Sequence, residues 1–265
     1  MNAVLDHEPA IRLTFFFGVL AVMTAWEIAA PRRPLTVRKS GRWVSNLGVV
    51  VLNTALLRVL LPFTAVALAA TAVERGWGVL NQVSLPDALA VPLAVIVMDA
   101  AIWLQHVVFH AVPLLWRLHR VHHADLDYDV TTGARFHPIE IGLSMLIKFA
   151  VILVLGPAPT AVVLFEVLLN AMAMFNHGNV GLPASVDRAL RTLLVTPDMH
   201  RVHHSVDVVE TNRNFGFNLS VWDRLFGTYK AEPDAGQLGM TIGVPDFRDE
   251  AQVERLPGML GMPFR

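Results

Sequence analysis

Histidine is concentrated in the middle of this 265-residue chain and follows a repeated pattern. The pentapeptide His-Arg-Val-His-His occurs twice, at His119–His123 and again at His200–His204. Ten of the eleven histidines lie between residues 106 and 204, and the chain has no cysteine. Because imidazole is the commonest protein ligand of metal ions, this density indicates a metal site built from nitrogen and oxygen ligands.

The spacing of the histidines places them in groups. His106 and His110 are four residues apart, which puts both rings on one face of a helix. The spacings of three and four inside each pentapeptide have the same effect. His137 precedes Pro138, which would begin a helix, and His177 closes an apolar segment. The predicted metal ligands are His106, His110, His119, His122, His123, His137, His177, His200, His203 and His204.

Ten ligands exceed what one four- to six-coordinate ion uses, so the pattern predicts two metal ions. Crowded imidazoles would repel one another if protonated, and a metal ion keeps them neutral because it binds the deprotonated nitrogen. Imidazole suits zinc, copper, iron and nickel, but a structural zinc site needs only four ligands. We expect no catalytic residue apart from the ligands themselves.

Three further polar residues are candidates for orienting the metal-bound rings. Asp99 lies two helical turns before His106 on the same face, where a carboxylate inside a bilayer is costly unless it has a partner. Asp198 lies just before the second pentapeptide, and Asn176 directly precedes His177.

The elements that must position these residues are apolar. The chain is 54% hydrophobic and 16% charged, against about a quarter charged in an average soluble domain. Its net charge of −1 does not favour nucleic acid as a partner. Segments near the length of about 20 residues that a bilayer requires occur at 11–30, 47–72, 88–110, 141–155 and 160–175.

The pattern predicts an all-α fold: an integral membrane helical bundle of about four to five membrane segments, with a cytoplasmic helical cap that holds a polyhistidine dimetal site. The two last segments are short enough to form a re-entrant hairpin around residues 156–159. Lys148 and Glu166 would lie at similar depth in that hairpin and are predicted to pair.

The distribution of basic residues predicts the orientation. The connection after the first span is rich in cations, namely Arg32, Arg33, Arg38, Lys39 and Arg42. By the positive-inside rule this connection is cytoplasmic, and counting the spans onward brings every histidine group to the cytoplasmic face. We expect an integral protein of a bacterial inner membrane with its active site facing the cytoplasm.

The histidine motifs resemble the histidine boxes of the fatty acid hydroxylase/sterol desaturase superfamily. The resemblance is carried by the order of the histidine groups and by flanking segments that extend to the C-terminal tail. The matching segments are His106-Val-Val-Phe-His110, His119–His123, His137, His177, His200–His204, Leu115-Trp116-Arg117, Asn214-Phe215-Gly216 and Trp222–Tyr229.

The resemblance implies a membrane-bound non-haem di-iron enzyme that uses O2 and reducing equivalents to hydroxylate or desaturate a lipid. It implies the ten histidines as ligands of two Fe ions, for which zinc substitutes in some structures of the family. Because no haem-binding His-Pro-Gly-Gly segment occurs, a separate electron donor is expected, either a ferredoxin or a cytochrome b5-like protein with its reductase.

Two other classes remain open from the residues alone. A membrane metal carrier or metal-binding protein would explain abundant histidine and an intramembrane Asp99, but it needs only a few ligands along a path. A membrane di-haem cytochrome would use pairs of axial histidines. For the enzyme, we expect N-terminal membrane anchor spans at 1–90, the catalytic region at 91–230 and a C-terminal surface tail at 231–265.

Overall fold

The structure, a computed structural model, describes residues 3–265 and consists mainly of helices. The α-helices, in chain order, are α1 (Ala3–Asp6), α2 (Glu8–Ala29), α3 (Lys39–Leu60), α4 (Ala65–Glu74), α5 (Asp87–Ala111), α6 (Pro113–His123), α7 (Pro138–Leu155), α8 (Pro159–Asn176), α9 (Ala184–Leu190), α10 (Pro197–His203), α11 (Val208–Thr211), α12 (Val221–Leu225), α13 (Gly236–Gly239), α14 (Glu250–Val253) and α15 (Leu256–Gly261). Short 3₁₀ helices lie at Val79–Asn81, Thr132–Ala134 and Met262–Phe264. No β-strand occurs among the described residues, so the predicted all-α fold is confirmed.

Five segments are long and apolar enough to cross a bilayer, as the sequence predicted. They are Glu8–Ala29, Lys39–Asn81, Asp87–Ala111, Pro138–Leu155 and Pro159–Asn176. The last two, α7 and α8, have 18 residues each and are longer than the apolar runs that predicted them. A helix of that length rises about 27 Å, close to the hydrocarbon thickness of a bilayer, so both helices are long enough to cross.

The second predicted span, 47–72, is not one continuous helix. α3 ends at Leu60 and α4 begins at Ala65. Pro62 has no backbone N–H and disfavours helical geometry at the residue before it, and Leu61 is accordingly extended. Thr64 then caps α4 by accepting a hydrogen bond from the backbone N–H of Ala67 at 3.1 Å.

α7 and α8 form a hairpin closed by an ion pair. Gly156 ends α7 with φ at 69°, and a Cβ at this position would clash with the carbonyl oxygen of Trp77. The Lys148 Nζ donates to Glu166 Oε1 at 2.6 Å, which confirms the predicted pair. Arg12 of α2 adds a second cation at 2.9 Å from Glu166 Oε2, a contact that sequence spacing did not indicate.

The membrane helices and the cap meet where α5 and α8 end and α7 begins. A buried ion-pair network joins α3 to the cap: the Arg42 guanidinium donates to Asp125 at 2.7 Å and to Asp129 at 3.0 Å. The segment 231–265, for which we predicted a surface tail, packs against this cap. Val253 and Met259 are fully buried in it.

Candidate metal centre

Nine of the ten predicted ligands lie in two compact groups at the junction of the membrane helices and the cap. The five-histidine group consists of His106, His110, His119, His123 and His203. The four-histidine group consists of His122, His177, His200 and His204. Within each group, one ring nitrogen of every residue lies within 4.8 Å of the others, and every ring but that of His110 is buried.

The two pentapeptides contribute to both groups in a mirrored way. In α6, His119 and His123 are one turn apart and join the five-histidine group, whereas His122 lies on the adjacent face and joins the four-histidine group. In the second pentapeptide the outer histidines join the four-histidine group, and the middle one, His203, joins the five-histidine group. Each repeat therefore connects the two groups and fixes them side by side.

The hydrogen bonds of the rings show which nitrogen faces the centre. His106 Nδ1 lies 2.7 Å from the carbonyl oxygen of Phe215, and His203 Nδ1 lies 2.7 Å from that of Arg213. A carbonyl oxygen only accepts, so both Nδ1 atoms carry the proton and both Nε2 atoms present lone pairs. These two Nε2 atoms are 2.9 Å apart. Two facing lone pairs repel unless a cation lies between them.

In the four-histidine group, His177 has its Nδ1 held in the same way, whereas the Nδ1 atoms of the other three rings have no hydrogen-bond partner among the described residues. His177 Nδ1 donates to the carbonyl oxygen of Ala173 at 2.7 Å, which leaves its Nε2 as an acceptor. That Nε2 lies 3.1 Å from the Nε2 atoms of His122, His200 and His204. The chemistry of both donor sets therefore fits a metal ion in each group.

Burial keeps these rings neutral. It lowers the pKa of His119 to about 3, and burial is likewise the largest cause that lowers the pKa of His177 to about 3. For His122, His200 and His203, burial and then the neighbouring imidazoles hold the pKa well below the usual value of 6.5. Neutral imidazole is the form that binds metal, so the protein presents its ligands ready for an ion.

Glu140, which the sequence patterns did not indicate, contacts one of the clustered rings. Its Oε1 lies 2.5 Å from Nδ1 of His119, in the first turn of α7. A carboxylate in this position fixes the ring orientation of a ligand and increases its basicity. A usable signal was present, because Glu140 is a charged residue three positions after His137 at the start of an apolar helix.

A strained turn aims two carbonyl groups at the rings. Asn214 has φ at 53°, in the left-handed region, and its side chain donates to the backbone oxygens of Met199 and Lys230 at 2.8 and 2.7 Å. The two flanking residues, Arg213 and Phe215, are those whose carbonyls hold His203 and His106. The turn at Asn214 thus sets the orientation of two of the clustered rings at once.

The prediction that Asp99 contacts a metal-bound ring is wrong. Its carboxylate accepts hydrogen bonds from the indole Nε1 of Trp222 at 2.8 Å and from the backbone N–H of Leu219 at 3.2 Å. Helix periodicity correctly placed Asp99 on the face of His106, but a loop from the cap occupies the space beside it. Asp99 therefore fixes the loop that follows Phe215.

Asp198 and Asn176 also contact other groups than the rings, contrary to prediction. Asp198 forms ion pairs with Arg32, at 3.0 Å, and with Arg201. The Asn176 side chain donates to the carbonyl oxygen of Phe217 at 2.5 Å. Both residues hold the cap against the ends of the membrane helices.

His137 lies outside both groups, so the structure does not bring this predicted ligand to the centre. Its Nδ1 caps α7 by accepting from the backbone N–H of Ile139 at 3.2 Å, and its Nε2 donates to the carbonyl oxygen of Leu260 at 3.3 Å. With Nδ1 turned to the helix and Nε2 turned to the C-terminal segment, both ring nitrogens have partners. The role of N-cap of α7, directly before Pro138, explains why a histidine occurs at position 137.

A cavity of about 270 Å³ connects the five-histidine group to the membrane-spanning region. His106 and His119 line one end of it, and Phe136 and Phe217 form apolar wall beside them. The remaining wall is supplied largely by α3, α5, α7 and α8. A molecule in this cavity would lie against His106 and His119.

Comparison with known proteins identifies the family. The fatty acid hydroxylase family matches residues 91–228, which include all ten predicted ligands, from His106 to His204. The chain belongs to this family, as its histidine motifs predicted.

The chain is similar in sequence to an ornithine lipid hydroxylase and to alkylglycerol monooxygenases. An ornithine lipid hydroxylase from Rhizobium tropici is 31% identical over 159 residues, which are 59% of this chain and 47% of that protein. Alkylglycerol monooxygenases from Homo sapiens and Xenopus tropicalis are each 28% identical over 147 residues, 54% of this chain and 31% of theirs. The matched region thus spans less than half of these relatives, whose names are those of lipid hydroxylases and monooxygenases. No solved structure matches the chain.

Proposed function

We propose that this protein is an oxidoreductase, a membrane-bound non-haem di-iron oxygenase that hydroxylates a C–H bond of a lipid with O2 and electrons from a separate donor protein. The observation that carries the proposal is the pair of histidine groups with converging lone pairs, set at the end of an apolar cavity among membrane helices. The family and the names of the relatives support the lipid substrate and favour hydroxylation over desaturation.

The nine clustered histidines would hold the two ions, five at one and four at the other. Bound iron would supply the activation of O2 and the removal of hydrogen from an unactivated C–H bond. The protein itself fixes the rings: the carbonyl groups of Phe215 and Arg213 and the carboxylate of Glu140 hold the proton on Nδ1 and direct Nε2 inward. The apolar cavity wall excludes water and positions one carbon of the chain.

We infer that the centre faces the cytoplasm of a bacterial inner membrane, because the cationic connection at residues 31–42 packs against the same cap. Arg32 and Arg42 pair there with Asp198 and Asp125. In this assignment residues 1–90 anchor the protein, 91–230 carry catalysis and 231–265 cover the cap. A ferredoxin or a cytochrome b5-like protein with its reductase would deliver electrons from the cytoplasm.

The competing function is metal binding or transport without oxygenase chemistry. The nine rings argue against a transport path, because they form two closed groups and four of the rings have Nδ1 held by a carbonyl group or a carboxylate. A carrier instead needs loosely held ligands that follow one another along a transport path.

Product analysis distinguishes the two functions. Cells that express the intact protein under ¹⁸O2 are expected to contain a lipid with one added ¹⁸O atom, absent from cells that express the His203→Ala/His204→Ala variant at equal membrane level. Identical lipid extracts, with iron bound to the intact protein, would favour the metal-binding function.

A further inference from the structure

One wall of the cavity carries polar side chains at intervals of one helical turn. Glu140, Ser144 and Lys148 are each four residues apart in α7, share one face and line the cavity. Eight residues of helix rise about 12 Å, so Lys148 lies about that far from Glu140 along the helix axis. Since Glu140 contacts the ligand His119, the stripe runs from the metal centre into the membrane.

The inner end of this stripe is charged. Lys148, Arg12 and Glu166, from three different helices, all line the cavity. Charged groups inside a bilayer are costly and mark functional positions by default. Apolar residues would hold α2, α7 and α8 together without the free-energy cost of desolvating charged groups. Packing of the helices alone therefore does not explain three charged side chains on a cavity wall.

The spare hydrogen-bonding capacity at this end comprises N–H donors of Lys148 and one acceptor, Glu166 Oε2, which contacts Arg12 but accepts no hydrogen bond among the described residues. Both oxygens of Glu166 contact cations, Oε1 with Lys148 at 2.6 Å and Oε2 with Arg12 at 2.9 Å. An ammonium group has three N–H donors, and among the described residues Lys148 uses one, on Glu166. A molecule that completes the site must therefore contribute an acceptor to Lys148, and a hydroxyl group would also donate to Glu166 Oε2.

The charge of the cluster is already balanced. Arg12 also pairs with Glu8 at 2.8 Å, so two cations face two carboxylates. An anionic guest would leave excess negative charge in a low-dielectric region, whereas an uncharged oxygen acceptor would not.

We propose that this inner polar subsite, formed by Arg12, Ser144, Lys148 and Glu166, binds an uncharged oxygen of the lipid substrate, in an alcohol, ester or amide group. Three bonds of an extended chain advance about 3.5 Å, so a span of 12 Å corresponds to roughly ten chain bonds. The substrate would thus carry its oxygen about ten bonds from the carbon that lies at the metal centre. The inference deepens the proposed function and rests on it only in taking the cavity as the substrate site.

Binding of matched probes tests the subsite without turnover. The probes are 1-decanol and decane, added to the full-length protein in detergent, with and without iron, and the rise of Tm gives each dissociation constant. We expect 1-decanol to bind about tenfold more tightly than decane, as one hydrogen bond to a charged donor predicts, in both preparations. Sodium decanoate should bind no more tightly than 1-decanol; tighter binding would overturn the assignment to an uncharged oxygen.

Variants test which residues cause the tighter binding of 1-decanol than of decane. Lys148→Met should abolish it, and Lys148→Met/Glu166→Gln should do the same while keeping the remaining Arg12 and Glu8 charges balanced. Lys39→Met is the matched control, because Lys39 lies outside the cavity, and it should keep the preference. If the double variant folds and still prefers 1-decanol, the cluster only joins helices and the proposal fails.

The two proposals can fail separately. A protein that binds no iron but shows a Lys148-dependent preference for 1-decanol would contradict the di-iron function and keep the subsite. A protein that binds iron and oxidises lipid, with equal affinity for both probes, would contradict the subsite alone.

Discussion

Several imidazoles of the centre have their two nitrogens in different roles, with Nδ1 held by the protein and Nε2 directed at the metal position. Spacing in the sequence correctly placed His106 with His110 and His119 with His123, because helical periodicity is local. It wrongly kept His122 with His119, and His203 with His200 and His204. The partner of His106 Nδ1 was not predictable, since it is a main-chain carbonyl of a distant loop: Phe215 is 109 residues from His106. Glu140 is the exception, a side chain close enough to His137 to have been considered.

Removal of the Glu140 charge should weaken metal binding. In Glu140→Gln the ring of His119 loses its anionic partner, so iron affinity should fall about 10- to 100-fold, the usual effect of removing such a contact. Competition with a chelator of known affinity measures the iron affinity of the variant and of the intact protein. Glu250→Gln, at an exposed position of α14, is the control. Equal iron affinity in Glu140→Gln and the intact protein would show that the contact does not orient a ligand.

The lowered histidine pKa values predict acid sensitivity of the metal-free protein. His119 and His177 have pKa values of about 3 when folded, whereas an unfolded histidine titrates near 6.5. Between these values the unfolded state binds more protons, so the free energy of unfolding should decrease as pH falls from about 6.5 and stay level above it.

Thermal unfolding as a function of pH measures this dependence. His177→Gln should reduce the slope of Tm against pH below 6.5, and the exposed-site control His7→Gln should not. A slope that is the same in both variants would contradict the account of buried neutral rings.

At the scale of elements, a single turn and a single ion-pair network position the centre. The turn at Asn214 sets two carbonyl directions, and Arg42 joins α3 to the loop after α6. Sequence patterning located the membrane helices but not these connections. It placed Asp99 on the correct helix face, yet the loop that fills that face comes from more than 115 residues away. It also took 47–72 as one helix, although Pro62 was a local signal of the break.

Changes at Asn214 should separate backbone strain from hydrogen bonding. Asn214→Gly keeps the left-handed conformation and loses the side-chain bonds, whereas Asn214→Ala loses both and should cost about 1–2 kcal/mol more in unfolding free energy. Iron affinity should follow the order asparagine, glycine, alanine, because the carbonyls that hold His106 and His203 move. Unchanged iron affinity in Asn214→Ala would show that the turn is not required.

Loss of the Arg42 guanidinium should destabilise the junction between membrane and cap. Arg42→Met leaves the buried carboxylates of Asp125 and Asp129 without that partner, which should cost about 3–5 kcal/mol of unfolding free energy. Arg38→Met, at an exposed position, should change it little. Denaturant unfolding in detergent measures both, and equal stability of the two variants would contradict a structural role for the network.

For the whole molecule, the arrangement explains why a metal centre lies at the end of a membrane bundle. Five membrane segments bring one end of an apolar cavity to two groups of histidines, and the cap closes over them. Composition and helix length predicted the bundle, because a bilayer imposes simple requirements on length and hydropathy. The cavity, the Arg12 contact and the exclusion of His137 depend on three-dimensional packing, which no local pattern contains.

The metal content of the purified protein tests the central claim most directly. Full-length protein expressed with iron and purified in detergent is compared with His203→Ala/His204→Ala, which removes one ligand from each group. We expect about two iron ions per chain, one for each histidine group, and loss of both in the variant. A single ion, no ion, or equal metal content in the variant would contradict a di-iron centre held by these histidines.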